Sequence, residues 1–192
     1  MNISMEERGP QRHRITVDEY YRMAEVGLLA PDARVELIEG EIIDMAPIGM
    51  EHGWVVDQMN HLLVTTVGTK GIVRVQGAVR LSQWSQPQPD LVILAPRSDY
   101  RTRHPSGADS LLVIEVSDTT VRYDLNVKTP LYARHGVPEV WIMDLSKRRL
   151  HVFGSLAGDV YTETRTDDAP GKTAITAVPG LFVDLSPILL AS

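Results

Sequence analysis

Two short apolar runs, Leu91 to Ala95 and Leu111 to Val116, the second interrupted only by Glu115, constrain the fold of this 192-residue chain more than any other feature. A strand with one wet face alternates apolar and polar side chains, so continuous runs of this length fit strands buried on both faces, in the middle of a sheet. Such a sheet needs a covering layer on each side. Each run also carries an acid where an acid is out of place: Asp90, after Pro89, opens the first, and Glu115 stands near the end of the second.

The covering elements can be read from spacing and punctuation. Thr16-Val17-Asp18-Glu19 is a capping box that opens a short helix ending near Gly27. Arg34 to Met45 reads as a hairpin, with Val35, Leu37, Ile42 and Ile43 flanking a Glu39-Gly40 turn. From Glu51 to Val67 the residues Val55, Met59, Leu62, Leu63 and Val67 recur at helical spacing, and Gly68 ends that helix. Ile72 to Leu81 alternates as a strand, and Pro96 to Asp109 reads as an exposed loop.

Pro130 cannot sit in a helix interior without losing a hydrogen bond and clashing with the preceding turn. A helix is therefore predicted to begin near Asn126, which puts Lys128 at its N-terminus, and to end at Gly136 before Pro138. Glu139 to Leu145 and Arg149 to Phe153 form a hairpin about Ser146-Lys147-Arg148, and Val160 to Leu185 supplies short edge strands. The order predicts a mixed α/β fold: a central mixed β-sheet flanked by helices, with an N-terminal helix and hairpin and a C-terminal β extension. One domain is expected over residues 1–192, with residues 1–14 as a flexible N-terminal tail.

Composition narrows the chemistry. No cysteine is present, which excludes disulfides, thiolate metal sites and thiol nucleophiles and is compatible with the reducing cytoplasm, the expected location. Met1 to Gln11 is polar, unlike a signal peptide or anchor, and no run approaches the roughly 18 apolar residues that span a bilayer, so no membrane partner is expected. A net charge of −6 argues against a generally basic, nucleic-acid-coating surface. A cleavage site can still be locally positive once a divalent cation is bound.

Asp90 and Glu115, with Lys128 thirteen residues further on, suit one kind of reaction. A phosphodiester is shielded by its own negative charge, and hydrolysis needs that charge neutralised, water activated and the leaving oxygen stabilised, all within reach of Mg²⁺ or Mn²⁺. These hard cations take carboxylate and carbonyl oxygens, which Asp90, Glu115 and the backbone carbonyl of Val116 could supply, with Lys128 orienting the water or steadying the phosphorus charge.

At this point the residues resemble the restriction-endonuclease-like, PD-(D/E)xK superfamily, and within it the Uma-type group of endonucleases. The likeness runs through Arg34-Val35-Glu36-Leu37-Ile38-Glu39-Gly40-Glu41-Ile42, His52, Pro89-Asp90-Leu91-Val92 and Leu112-Val113-Ile114-Glu115-Val116-Ser117. It continues through Asp124-Leu125-Asn126-Val127-Lys128 and Tyr132 to Asp144. The lysine usual two residues after the strand glutamate is absent, and Ser117 stands there. The resemblance implies that the lysine has moved to Lys128, and that Glu36 is an additional acidic site residue, with Glu39, Glu41 and Glu51 as competitors. It also implies a restriction-endonuclease-like core, a Mg²⁺-dependent DNA endonuclease and a homodimer, since two strands need two sites.

Other readings stay open at this stage. Asp90 also reads as a loop or strand-end cap of a backbone amide, Glu115 as a buried carboxylate paired with Arg or Lys, and Lys128 as a solvated helix residue. His52 is either a phosphate or metal contact or a partly buried helix-start residue, and Asp124 pairs with Lys128 as an ordinary i,i+4 contact or helps to position it. Zinc is disfavoured by the lack of cysteine and of a paired-histidine motif. Tyr132 and Trp141 read as core, and Arg97, Arg101 and Arg103 as a basic cluster able to grip a phosphate backbone. A non-catalytic binding protein that keeps the fold, and a hydrolase of smaller phosphoesters, are the competing functions.

Overall fold

The computed structural model describes residues 11–190. Of the tail expected over residues 1–14, residues 1–10 lie outside the described residues, while the Arg14 guanidinium stacks on Trp84 and donates to the Glu39 carbonyl at 2.7 Å.

Helix α1 (Val17–Glu25) begins at the capping box, with the Thr16 and Glu19 side chains bonding each other's backbone amides. Strands β1 (Val35–Ile38) and β2 (Glu41–Asp44) pair antiparallel about Glu39 and Gly40, both at positive φ, the backbone that a two-residue hairpin of the strands' own twist demands. A methyl group on Gly40 would lie 2.6 Å from Arg14 Cβ. Gly40→Ala therefore combines left-handed backbone strain with a clash and is expected to destabilise the fold by about 2 kcal/mol. A urea denaturation midpoint unchanged from wild type would show that the hairpin tolerates both.

Helix α2 (Met50–Val67) follows, then a six-stranded sheet in the order β3-β4-β5-β6-β7-β8. Its members are β3 (Ile72–Val75), β4 (Leu91–Leu94), β5 (Ser110–Ser117), β6 (Val140–Asp144), β7 (Arg149–Ala157) and β8 (Val160–Asp167). Only β5 and β6 pair in parallel; the other neighbours are antiparallel, so the sheet is mixed as expected. All four residues of β4 are fully buried, as is most of β5, which places the two apolar runs side by side in the interior.

Period-two alternation divides these strands between two cores. Leu91, Ile93, Leu112, Ile114 and Val116 pack with α2 on one face, together with a second sheet of β9 (Lys172–Ile175) and β10 (Leu181–Asp184) and the short helix α5 (Ser186–Leu189). Val92, Leu94 and Val113 face the other way, toward Tyr132, Val137 and Ile142. Each fully buried aliphatic side chain contributes about 1.5–3 kcal/mol, so both faces hold the central strands firmly. Glu139 stitches β6 to the second sheet: its carboxylate accepts from Trp141 Nε1, Thr176 Oγ1 and the Ala177 amide.

Three expectations need correction. The strand expected over Ile72 to Leu81 stops at Val75, because Gln76 turns at positive φ and the chain leaves the sheet. It returns alongside the N-terminal hairpin, where the Gln86 amide donates to the Leu37 carbonyl at 2.7 Å. The helix expected from Asn126 begins earlier, as three abutting segments: α3 (Val121–Tyr123), a π turn (Asp124–Lys128) and α4 (Thr129–Arg134). Here the Thr129 amide bonds the Asp124 carbonyl five residues back, widening the spiral just ahead of Pro130, whose ring would otherwise strike the carbonyl four residues before it. Lys128 is thus a buried helix-interior residue, not an N-terminal one.

The third correction concerns Arg97, Arg101 and Arg103. Their loop joins the end of β4 to the start of β5, whereas Asp90 precedes β4 and Glu115 lies late in β5. The cluster is thus at the opposite end of these strands, separated by the length of β4, roughly 13 Å. Arg97 and Arg103 are moreover committed to Asp99 and Asp109, the latter a buried acid that Arg103 grips with both terminal nitrogens.

Candidate active site

The register that sets Leu91 opposite Ile114 brings Asp90 level with Glu115 on neighbouring strands. Asp90 is held from two sides: its Oδ2 accepts from the Val116 amide at 2.9 Å, and its Oδ1 lies 3.2 Å from His52 Nε2 on α2. The amide-capping role considered for Asp90 is therefore present, at the same carboxylate that lines the cleft. His52 is the partly buried helix residue expected, and it also reaches this acid.

Glu115 shares the face of Val113, and so points at the helical segments rather than at α2. Its Oε1 pairs with the Lys128 ammonium, 2.8 Å away, and accepts from the Tyr132 hydroxyl at 2.6 Å. Lys128 Nζ also lies 3.2 Å from Glu36 Oε2, which in turn accepts from the Gln88 amide at 3.1 Å. The side chains of Glu36, Glu115 and Lys128 are all about 95% buried. Among the acidic competitors, Glu39 pairs with Arg134 and Glu41 with Arg12 at the surface, and Glu51 is exposed; Glu36 alone enters the site.

Asp124 does not make the ordinary contact with Lys128 that its spacing predicts. Its Oδ2 accepts from Ser117 Oγ and Thr120 Oγ1, both at 2.7 Å, because the π turn breaks the i,i+4 alignment. Ser117 thereby ties β5 to the helix.

Asp90, Glu115, Lys128, Glu36, His52 and Asp124 border one cleft of about 230 Å³, lined also by Val116, Arg34, Asp44 and Asp118. Six carboxylates face it, against the two permanent cations Arg34 and Lys128 and the titratable His52. Burial pushes the Glu115 carboxyl well above the usual carboxylate range; Lys128 opposes that shift while Asp124, Asp90 and Glu36 reinforce it. Burial works against the Lys128 charge, yet Glu115, Glu36 and Asp124 outweigh it and hold the ammonium well above its ordinary value. The hydrogen bond to Asp90 raises the His52 imidazole, against the effect of burial.

The excess of oxygen donors and negative charge fits a hard divalent cation, which binds through one or two carboxylates and completes its shell with water and phosphate. Among the described residues no three His, Asp or Glu side chains converge as a complete ligand set.

Sequence reasoning missed the Tyr132 hydroxyl, having read that residue as core. It is core, fully buried, yet it lies one turn after Lys128, a spacing that could have flagged it. Nothing in the sequence pointed to the Gln88 amide, which reaches Glu36 only because the chain doubles back after Gln76.

The fold has a counterpart among known proteins. The chain resembles, at a TM-score of 0.71 and 16% identity, a crystal structure from Anabaena variabilis described as "a putative nuclease belonging to DUF820". The likeness covers 92% of this chain and 98% of that one, and shows a shared fold. No curated protein matches the sequence. The Uma2 family, described as "Putative restriction endonuclease", matches residues 17–186, and with nearly all of its described length inside that match the chain belongs to this family.

Proposed function

We propose that the protein is a Mg²⁺- or Mn²⁺-dependent endonuclease that hydrolyses DNA phosphodiester bonds in the cytoplasm. The observation that carries this reading is the meeting of Asp90, Glu115, Lys128 and Glu36 in one acidic cleft at the same end of two central strands. Asp90 and Glu115, with the Val116 carbonyl as a third oxygen, are the residues that would hold the metal. A divalent ion there supplies charge neutralisation at the phosphate and lowers the cost of deprotonating water.

The chain's own groups define the rest. In hydrolysis water adds to phosphorus, one P–O ester bond breaks and the departing oxygen takes up a proton. Lys128, kept protonated by the acids around it, cannot accept the proton of that water; it can hold the water by donating to it and can face the charge building on phosphorus. Glu36 keeps the Lys128 ammonium beside Glu115 instead of letting it extend into solvent. A homodimer would present two such clefts, one for each strand of a duplex. Among the described residues no helix is long and apolar enough to cross a membrane.

Purified protein incubated with DNA and either metal is expected to cut, and to stop cutting when the metal is chelated. If it is inert with both metals across several DNA and RNA substrates, the enzyme reading fails. One observation favours a second reading, a non-catalytic binding protein: Asp90 and Glu115 already have partners on the protein, and no complete side-chain ligand set is formed. Calorimetry separates the two, since absence of Mg²⁺ and Mn²⁺ binding supports the binding protein and micromolar-to-millimolar binding supports the nuclease.

A further inference from the structure

We propose that Tyr132 is a positioning residue for the metal site, acting through Glu115; this rests on the reading of Glu115 as a metal ligand. The Tyr132 ring is fully buried among Val92, Val113 and Ile142, on the face of the sheet that also carries Glu115. A ring in that place needs no hydroxyl to pack, and a buried hydroxyl needs a partner. Its partner is the one acid whose orientation matters most, at 2.6 Å.

Tyr132 donates to Oε1 and the Lys128 ammonium lies 2.8 Å from the same oxygen, the two side chains coming from successive turns of one helical stretch. A hydrogen-bond donor and an ammonium on one carboxylate oxygen fix the rotation of the whole group and leave Oε2, which among the described residues accepts no hydrogen bond, as the oxygen free for a ligand. The two partners differ in kind. Lys128 is a flexible chain that also answers to Glu36 and would face substrate, so its hold on Glu115 is divided. Tyr132 is rigid, walled in and has no second acceptor among the described residues, so it keeps Glu115 in place whatever Lys128 does. Outer hydrogen-bond partners of this sort set the geometry of metal ligands, and their removal costs roughly 10- to 100-fold in metal affinity.

The test is Tyr132→Phe, which deletes the hydroxyl and keeps the ring, with Mn²⁺ binding followed by calorimetry in the absence of DNA. Tyr161→Phe is the matched control, because that half-buried hydroxyl also makes one hydrogen bond, to the Val137 carbonyl at 2.8 Å, away from the cleft. The expected result is Mn²⁺ affinity weakened at least tenfold in Tyr132→Phe, unchanged in Tyr161→Phe, with both variants folded by circular dichroism. Equal Mn²⁺ affinity in wild type and Tyr132→Phe overturns the proposal and leaves the metal-dependent reading standing. Loss of folding in Tyr132→Phe alone assigns the hydroxyl to stability and overturns it too. No Mn²⁺ binding by the wild type overturns both this proposal and the nuclease reading beneath it.

Discussion

Lys128→Met is expected to destabilise the protein by about 3 to 5 kcal/mol near neutral pH, the cost of removing one partner from a buried ion pair. Methionine retains much of the aliphatic packing, so the loss measures the charge rather than the volume. In the wild type one ammonium serves two buried acids, at 2.8 Å from Glu115 and 3.2 Å from Glu36. Without it, both face a dry interior and each other, and the cheapest escape is for Glu115 to take up a proton.

That escape makes the defect pH-dependent. Burial already holds the folded Glu115 carboxyl above its unfolded value, and Lys128 is the main influence drawing it back. A group raised in this way contributes stability in full below its unfolded value and loses it as pH rises through its folded value. Removing Lys128 raises the folded value further, so the variant loses stability over a wider window and should recover much of it on acidification to about pH 5. Urea midpoints at about pH 5 and pH 8 test this. An equal deficit at both would mean that the loss comes from packing, and no deficit would mean that Lys128 is not the counter-ion of this pair. DNA cleavage should fall about 100-fold where the variant is still folded, as for loss of one fixed electrostatic donor.

The central sheet was legible in the sequence because its signal is collective. Leu91 to Ala95 and Leu111 to Val116 cannot be hidden except between two layers, and their adjacency follows once both are central. Asp90 and Glu115 were legible for the same reason, as acids interrupting that burial. Glu36 could be named but not chosen from its neighbours, although it alone stands between the buried residues Val35 and Leu37. Lys128 does line the cleft beside Glu115, but for a different local reason from the one expected. Pro130 excludes a regular α-helix ahead of it, and a π turn is a second way to satisfy that exclusion which a start at Asn126 does not consider. The basic loop misled because sequence proximity to Asp90 hides which end of a strand a loop leaves from. The Tyr132 hydroxyl escaped, and His52 could be named but not joined to Asp90, since these contacts cross between layers, 17 and 38 residues away from their acids in sequence.

Asp90→Asn is the sharper test of catalysis, because the wild-type carboxylate has two occupations that a truncation would confuse. One is to accept the Val116 amide at 2.9 Å, the other to carry negative charge beside Glu115. Asparagine has nearly the same shape and its amide oxygen can still cap Val116, but it offers a divalent cation no charge. The fold should therefore survive while DNA cleavage drops by about 1000-fold, some 4 kcal/mol of transition-state stabilisation, within what a lost metal is expected to remove. His52 reports on the substitution independently. Its imidazole is raised mainly by the hydrogen bond to Asp90, so in the variant its proton resonances should titrate at a lower pH than in wild type. If the His52 titration moves and cleavage does not, Asp90 is a structural cap with a histidine neighbour, and the metal must sit elsewhere. If cleavage collapses while the melting temperature stays put, the amide-capping role cannot account for the loss, and the charge of Asp90 is what the reaction uses.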